Sequence, residues 1–245
     1  MPPATPRVAL ITCATRFAGR PAARALLAAG CKVVCHDDDF ADAGVRGAFA
    51  ADVAGCDTVV AAGYEEIFAA AEAVHGRIDV LVSNDAYPAT RVPLEQVTAQ
   101  AYREALEALS VRPMMMARLA APGMRARNWG RIVLVSSAAP LRGLANYSMY
   151  VSARAAANGL VSSLAKELGR HAVTVNAVAS NYVENPDYFP PALLADAAAM
   201  KKMTANIPLG RLGKPEEIAA TIAFLAGDGA GFVTGQIIGH AGGWA

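Results

Sequence analysis

Short, continuously apolar runs rich in β-branched residues alternate with longer helical patterns along almost the whole chain, and this alternation most constrains the fold. Residues 7–12 (RVALIT), 32–36 (KVVCH), 79–83 (DVLVS), 131–136 (RIVLVS), 173–179 and 237–240 read as strands, with a further short one at 58–62. Strands that are apolar throughout must be covered on both faces, which is the property of a parallel sheet wrapped by helices. Helical patterns fill the intervals at 21–29, 41–49, 64–75, 99–125, 147–168 and 215–226, with Gly30, Gly76 and Gly169 as stop signals and Pro113 expected to kink the fourth. Hydrophobic residues make up 54% of the chain, enough for a large core. No internal repeat or linker interrupts the pattern, and the Pro-rich stretch 185–191 reads as a loop. The expectation is one α/β domain over 1–245, a doubly wound Rossmann-like sheet of about seven strands. Ligands of such sheets sit beyond the carboxyl ends of the strands, which selects residues 12–19, 36–39, 83–86, 136–144 and 179–190.

Several classes of function are excluded first. Lys plus Arg total 22 against 21 Asp plus Glu, so no broad basic face for nucleic acid is expected. No apolar run approaches a membrane span, and the start Met1-Pro2-Pro3 has neither the charged region nor the cleavage site of a leader. The four cysteines, Cys13, Cys31, Cys35 and Cys56, lack Cys-x-x-Cys spacing and fit reduced thiols of a cytoplasmic protein. His36, His75, His171 and His240 have no ligand spacing, so no metal is expected. No Gly-x-Ser-x-Gly elbow is present, which counts against a serine hydrolase.

Three of the selected loops carry chemistry. The first, Thr12 to Gly19, stands where a dinucleotide-binding fold needs glycines for a tight turn and for close approach to the pyrophosphate. Only Gly19 remains, and Phe17 puts a benzyl group where that approach would occur; the ring could equally be a core or cap residue. In the second, Ser137 ends a strand, and Tyr150 and Arg154 lie one turn apart on the next helix, hence on one face. A phenol is mostly protonated at neutral pH, and a guanidinium beside it favours the phenolate. Tyr150 is therefore a candidate general base with Ser137 orienting a substrate hydroxyl, although a Tyr-x-x-x-Arg alone is usually an ordinary helix-surface pair. The third loop, Ser180-Asn181-Tyr182-Val183 leading to Tyr188 and Phe189, mixes amides with polarisable rings and could hold a soft anion or merely cover a substrate.

These residues carry a family resemblance. Pro208-Leu209-Gly210-Arg211-Leu212-Gly213-Lys214-Pro215-Glu216-Glu217, Thr234-Gly235-Gln236, Gly242-Gly243, Val175-Asn176-Ala177 and the Ser–Tyr spacing resemble the short-chain dehydrogenase/reductase superfamily over nearly the whole chain. The departures are specific. The glycine-rich loop is broken at Cys13 and Phe17, Tyr-x-x-x-Lys has become Tyr-x-x-x-Arg, and Asn-Asn-Ala-Gly reads Ser83-Asn84-Asp85-Ala86. The helical Asn of the tetrad is Ser110, and the Pro-Gly after the sixth strand is Ser180-Asn181. Together they resemble the halohydrin dehalogenases, with Asn146, Asn185-Pro186 and Tyr188-Phe189-Pro190 nearest the A-type branch.

That resemblance implies a catalytic triad of Ser137, Tyr150 and Arg154. It implies a halide pocket at Phe17, Ser180, Asn181, Tyr182, Val183 and Phe189 in place of a nicotinamide site, with Asp85 in a supporting layer around Arg154. It also implies no cofactor, a small halohydrin or epoxide substrate, a halide ion as product, and a homotetramer built on the helices at 99–125 and 147–168. The alternative is a divergent NAD(P)-dependent short-chain reductase, for which Asp37 at the end of the second strand would bind a ribose hydroxyl. Trp244 could reach a neighbouring subunit's site or anchor the tail.

Overall fold

The computed structural model describes residues 5–186 and 188–245; the start of the chain, where no leader is expected, lies outside the described residues. Seven strands, β1 (Val8–Thr12), β2 (Lys32–His36), β3 (Asp57–Val59), β4 (Val80–Ser83), β5 (Gly130–Ser137), β6 (Val173–Ser180) and β7 (Ile237–His240), form one parallel sheet in the order β3-β2-β1-β4-β5-β6-β7. The order reverses between β1 and β4, which opens a crevice at their carboxyl ends. The expected fold class and strand number are those observed.

The helices are α1 (Gly19–Ala28), α2 (Ala43–Asp52), α3 (Tyr64–His75), α4 (Ala99–Leu106), α5 (Arg112–Arg127), α6 (Ala139–Arg142), α7 (Ser148–Leu168), α8 (Pro191–Ala195), α9 (Ala197–Thr204) and α10 (Pro215–Ala226). Successive strand residues point to opposite faces, and both faces are dry. Ala9 and Ile11 of β1 meet Leu26 of α1, Phe49 of α2 and Ile222 of α10. Val8 and Leu10 meet Phe68 of α3, Met116 of α5 and Val161 of α7. Leu10 and Ile11 are wholly buried, and each such side chain stabilises the fold by about 1.5–3 kcal/mol.

The pattern at 99–125 resolves differently from the single kink expected. α4 passes into a π-helical segment, Glu107–Val111, and α5 restarts with Pro113 in its first turn. Proline lacks the N–H for the bond to the residue four back and its ring clashes with that carbonyl. Widening the preceding turn absorbs both problems. The third strand is shorter and begins earlier than expected, at Asp57. Helices α8 and α9 were not foreseen; Asp196 starts α9, its Oδ1 accepting from the N–H groups of Ala198 (2.9 Å) and Ala199 (3.0 Å).

Gly19, the one glycine left in the first turn, has a packing role. A Cβ there would lie 2.3 Å from the Ala14 carbonyl oxygen. Gly19→Ala should therefore destabilise the protein by about 1–3 kcal/mol; urea unfolding checks this, and an unchanged midpoint would mean that the turn yields freely.

Candidate active site

A cavity of about 330 Å³ opens at the carboxyl ends of β4, β5 and β6, beside the β1–α1 turn. All ten site residues expected from the sequence line it: Phe17 from the first turn, Asp85 after β4, Ser137 at the end of β5, Tyr150 and Arg154 on α7, and Ser180, Asn181, Tyr182, Val183 and Phe189 from the loop after β6. Ser110, in the π-helical segment, does not line it. A second cavity, of about 430 Å³, backs onto the other side of Asn181 and Tyr182 and contains none of Ser137, Tyr150 and Arg154. Among the described residues no cluster of three His, Cys, Asp or Glu side chains could hold a metal ion.

Ser137 and Ser180 are register partners at the ends of adjacent strands. The Ser137 Oγ accepts from the Ala139 N–H at 3.1 Å, so its own proton remains available. Arg154, 8% exposed, donates from Nη1 to the Val135 carbonyl (2.8 Å) and from Nη2 to the Asp85 carbonyl (3.1 Å). Its Nε lies 3.4 Å from the Tyr150 hydroxyl. Among the described residues no carboxylate lies within ion-pair distance of it. The guanidinium is thus fixed by neutral dipoles, with its Nε edge beside the phenol. The Tyr150 ring packs on Ala105, Leu109, Met149 and Ala153, which sets its direction.

The first turn keeps a glycine-like backbone without the glycines. Cys13 (φ 47°) and Phe17 (φ 34°) are left-handed, at a cost of order 1–3 kcal/mol each. Asn84 holds the turn, donating from Nδ2 to the carbonyls of Cys13 (2.9 Å) and Arg16 (2.8 Å). Asp37 braces the turn: Oδ2 accepts from the Thr15 N–H (2.8 Å) and hydroxyl (2.7 Å), and Oδ1 from the Asp39 N–H (3.0 Å). The nicotinamide cofactor implied by the wider superfamily does not fit this arrangement, because the left-handed Phe17 puts its ring in the cavity the dinucleotide would need.

In the third loop the Ser180 hydroxyl donates to the Ser136 carbonyl (3.2 Å) and is spent there rather than facing an anion. Asn181 turns its Oδ1 back to the Tyr182 N–H (2.9 Å), which leaves its Nδ2 as the donor. Tyr182 is left-handed at φ 55°. Asn185 knits the loop, donating to the Val183 carbonyl (3.0 Å) and accepting from the Tyr188 N–H (3.0 Å). Trp244 of the same chain completes the wall, its ring edge-on to Tyr182 at 5.8 Å. Arg142 stacks over that indole at 4.8 Å and donates to the Trp244 carbonyl at 2.8 Å. The sequence left this tryptophan between two roles, and no local pattern marks a tail that returns from the far end of the chain.

Asp85 supports Arg154 through its backbone carbonyl, not through its carboxylate. The carboxylate faces Thr12 (3.1 Å), Cys13 (3.5 Å) and Ser83, all of which donate to it. Burial pushes this carboxyl above the ordinary carboxylate range, against those hydrogen bonds and the Arg112 charge. A raised pKa means that the folded state holds the proton more tightly than the unfolded one, so stability falls as pH rises from the ordinary carboxylate pKa through the raised one. Asp85→Asn should remove that slope, read as thermal midpoint against pH; an unchanged slope would place the titrating group elsewhere.

A family profile described as "Enoyl-(Acyl carrier protein) reductase" matches residues 16–245. The chain is 37% identical to a cis-4-hydroxycyclohexanecarboxylate dehydrogenase of Sinomonas cyclohexanicum, over 97% of this chain and 96% of that protein. It is 35% identical to L-xylulose reductase of Bos taurus, over 95% and 93% of the two chains. Among solved structures, a protein described as a dehalogenation enzyme is 56% identical, with a TM-score of 0.94 over 98% of this chain and 99% of that one. A halohydrin dehalogenase bound to ethyl (2S)-oxiran-2-ylacetate is 32% identical, with a TM-score of 0.92 over 96% of each chain. The profile and the relatives, together with the altered first turn and the Tyr–Arg pair, lead to one conclusion: the chain belongs to the short-chain dehydrogenase/reductase superfamily and, within it, to the halohydrin dehalogenases.

Proposed function

We propose that the protein is a cofactor-independent halohydrin dehalogenase, a carbon–halogen lyase that converts vicinal haloalcohols to epoxides. One observation carries the reading: a left-handed Phe17 lines the same cavity as a Tyr150–Arg154 pair whose guanidinium has no carboxylate partner. Ser137 binds the substrate hydroxyl. Tyr150, its hydroxyl beside the Arg154 Nε, acts as the general base and takes its proton. The alkoxide oxygen attacks the neighbouring carbon in line, the carbon–halogen bond breaks, and halide leaves toward the 180–183 loop. The Asn181 amide and the edges of the Phe17, Tyr182 and Phe189 rings receive the departing charge, with Val183 closing the apolar side. Oxygen, halogen and proton all balance without redox change. In reverse, azide, cyanide or nitrite would open an epoxide at the same place. The epoxide-bound neighbour supports a small-molecule ligand of this kind.

No helix among the described residues is long and apolar enough to cross a membrane. Its four free thiols suit the reducing cytoplasm, which we take as its compartment. We further infer a homotetramer through α4, α5 and α7; sedimentation equilibrium returning a monomer would refute it.

Incubation with 1,3-dichloro-2-propanol and no cofactor should release chloride and protons in equal amounts. Tyr150→Phe should keep the fold by circular dichroism and lose at least about 10²-fold in kcat. Tight NADH binding with no halide from any vicinal haloalcohol would instead favour the reductase reading.

A further inference from the structure

At the opposite pole of the sheet, below the amino-terminal ends of the strands, a separate cavity of about 340 Å³ is lined by Arg7, Leu26, Cys31, Trp129, Ala223 and Asp228, among others. It shares no residue with the reaction cavity. Its electrostatics are unbalanced. The Arg7 guanidinium lies 3.8 Å over the Trp129 indole, and that of Arg131, 3% exposed, lies 4.3 Å from the same ring. Arg131 is satisfied by three backbone carbonyls, those of Gly227, Gly130 and Ala172. Burial, with Arg7 nearby, lowers its pKa against the pull of Asp228.

Arg7 has no such satisfaction. Its Nε is buried without a partner, and neither a hydrogen bond nor an ion pair engages its fork among the described residues. The nearby Asp79 is already taken by Arg77 (2.6 Å), Arg127 (3.2 Å) and the Val8 N–H (3.0 Å). Asp228 accepts from the Trp129 indole N–H (3.1 Å). Four arginines therefore stand around two aspartates, and Arg7, whose Nε has no partner, lines the cavity.

We propose that this cavity is a second binding site, for a small organic carboxylate. An unengaged planar fork matches a carboxylate in two-point fashion. Leu26, Ala223 and the Trp129 ring supply an apolar wall for the body of the ligand. A doubly charged phosphate fits less well, because Asp228 stands at the same cavity and repels a second negative charge.

The test uses the full chain carrying Trp244→Phe, which leaves Trp129 as the sole tryptophan. Sodium hexanoate is titrated against sodium chloride at matched ionic strength, with Trp129 emission and the thermal midpoint as readouts. Hexanoate should give a saturable change that chloride does not, and Tyr150→Phe should leave it intact. Arg7→Gln should weaken binding at least about tenfold, the effect of removing a charge-assisted fork. Ala223→Phe, which fills the apolar side and keeps the charge, should do the same, so a poorly folding Arg7 variant does not leave the question open. No saturable response, an equal response to chloride, or a response lost in Tyr150→Phe but kept in Arg7→Gln would overturn the proposal.

Discussion

A guanidinium held only by neutral dipoles organises the wall of the reaction cavity. Arg154 is taken out of water on α7 and given two backbone carbonyls, but no counter-charge among the described residues. A carboxylate partner would have neutralised it and spent its field locally. Carbonyls fix the orientation and leave the Nε edge beside the phenol one turn away. The sheet serves this arrangement, because the Val135 carbonyl belongs to β5 and the Asp85 carbonyl to the segment after β4. Parallel strands deliver both to the same edge.

The first turn holds a glycine-like backbone on residues that carry side chains. Cys13 and Phe17 hold left-handed conformations that cost a side-chain-bearing residue free energy. The cost is offset by the Asn84 side chain bonding two turn carbonyls and by Asp37 bonding Thr15 and Asp39. The acidic residue at the end of β2, the best support for a nucleotide reading, has become an internal brace. Its identity alone could not reveal this; the direction of its two oxygens does.

The fold was legible because its strands are apolar on both faces, a pattern with few alternatives, and because Gly30 and Gly76 punctuate it. The cavity lining was legible in part from spacing, which puts Ser137 at a strand end and Tyr150 and Arg154 on one helix face, while the rest of the lining followed from the family resemblance. What stayed hidden depends on tertiary geometry. The π-helical segment before Pro113 reflects how a long helix accommodates a proline while packed. The Ser180 hydroxyl turned from the cavity to the Ser136 carbonyl because β5 and β6 pair there. Asp85 sides with Arg154 through its main chain, which no side-chain chemistry could foretell.

The tail has a mechanical consequence. Gly242 and Gly243 adopt φ values of 61° and 85°, and a Cβ on either would press on Ile207 or Pro208. The reversal they permit brings Trp244 under Arg142, 102 positions earlier in the chain. Arg142 ends the short helix α6, whose first residue braces the Ser137 hydroxyl. Ser137 and the Trp244 indole are therefore joined through one short helix. The wall of the cavity is thus closed by a residue anchored 102 positions away in the chain.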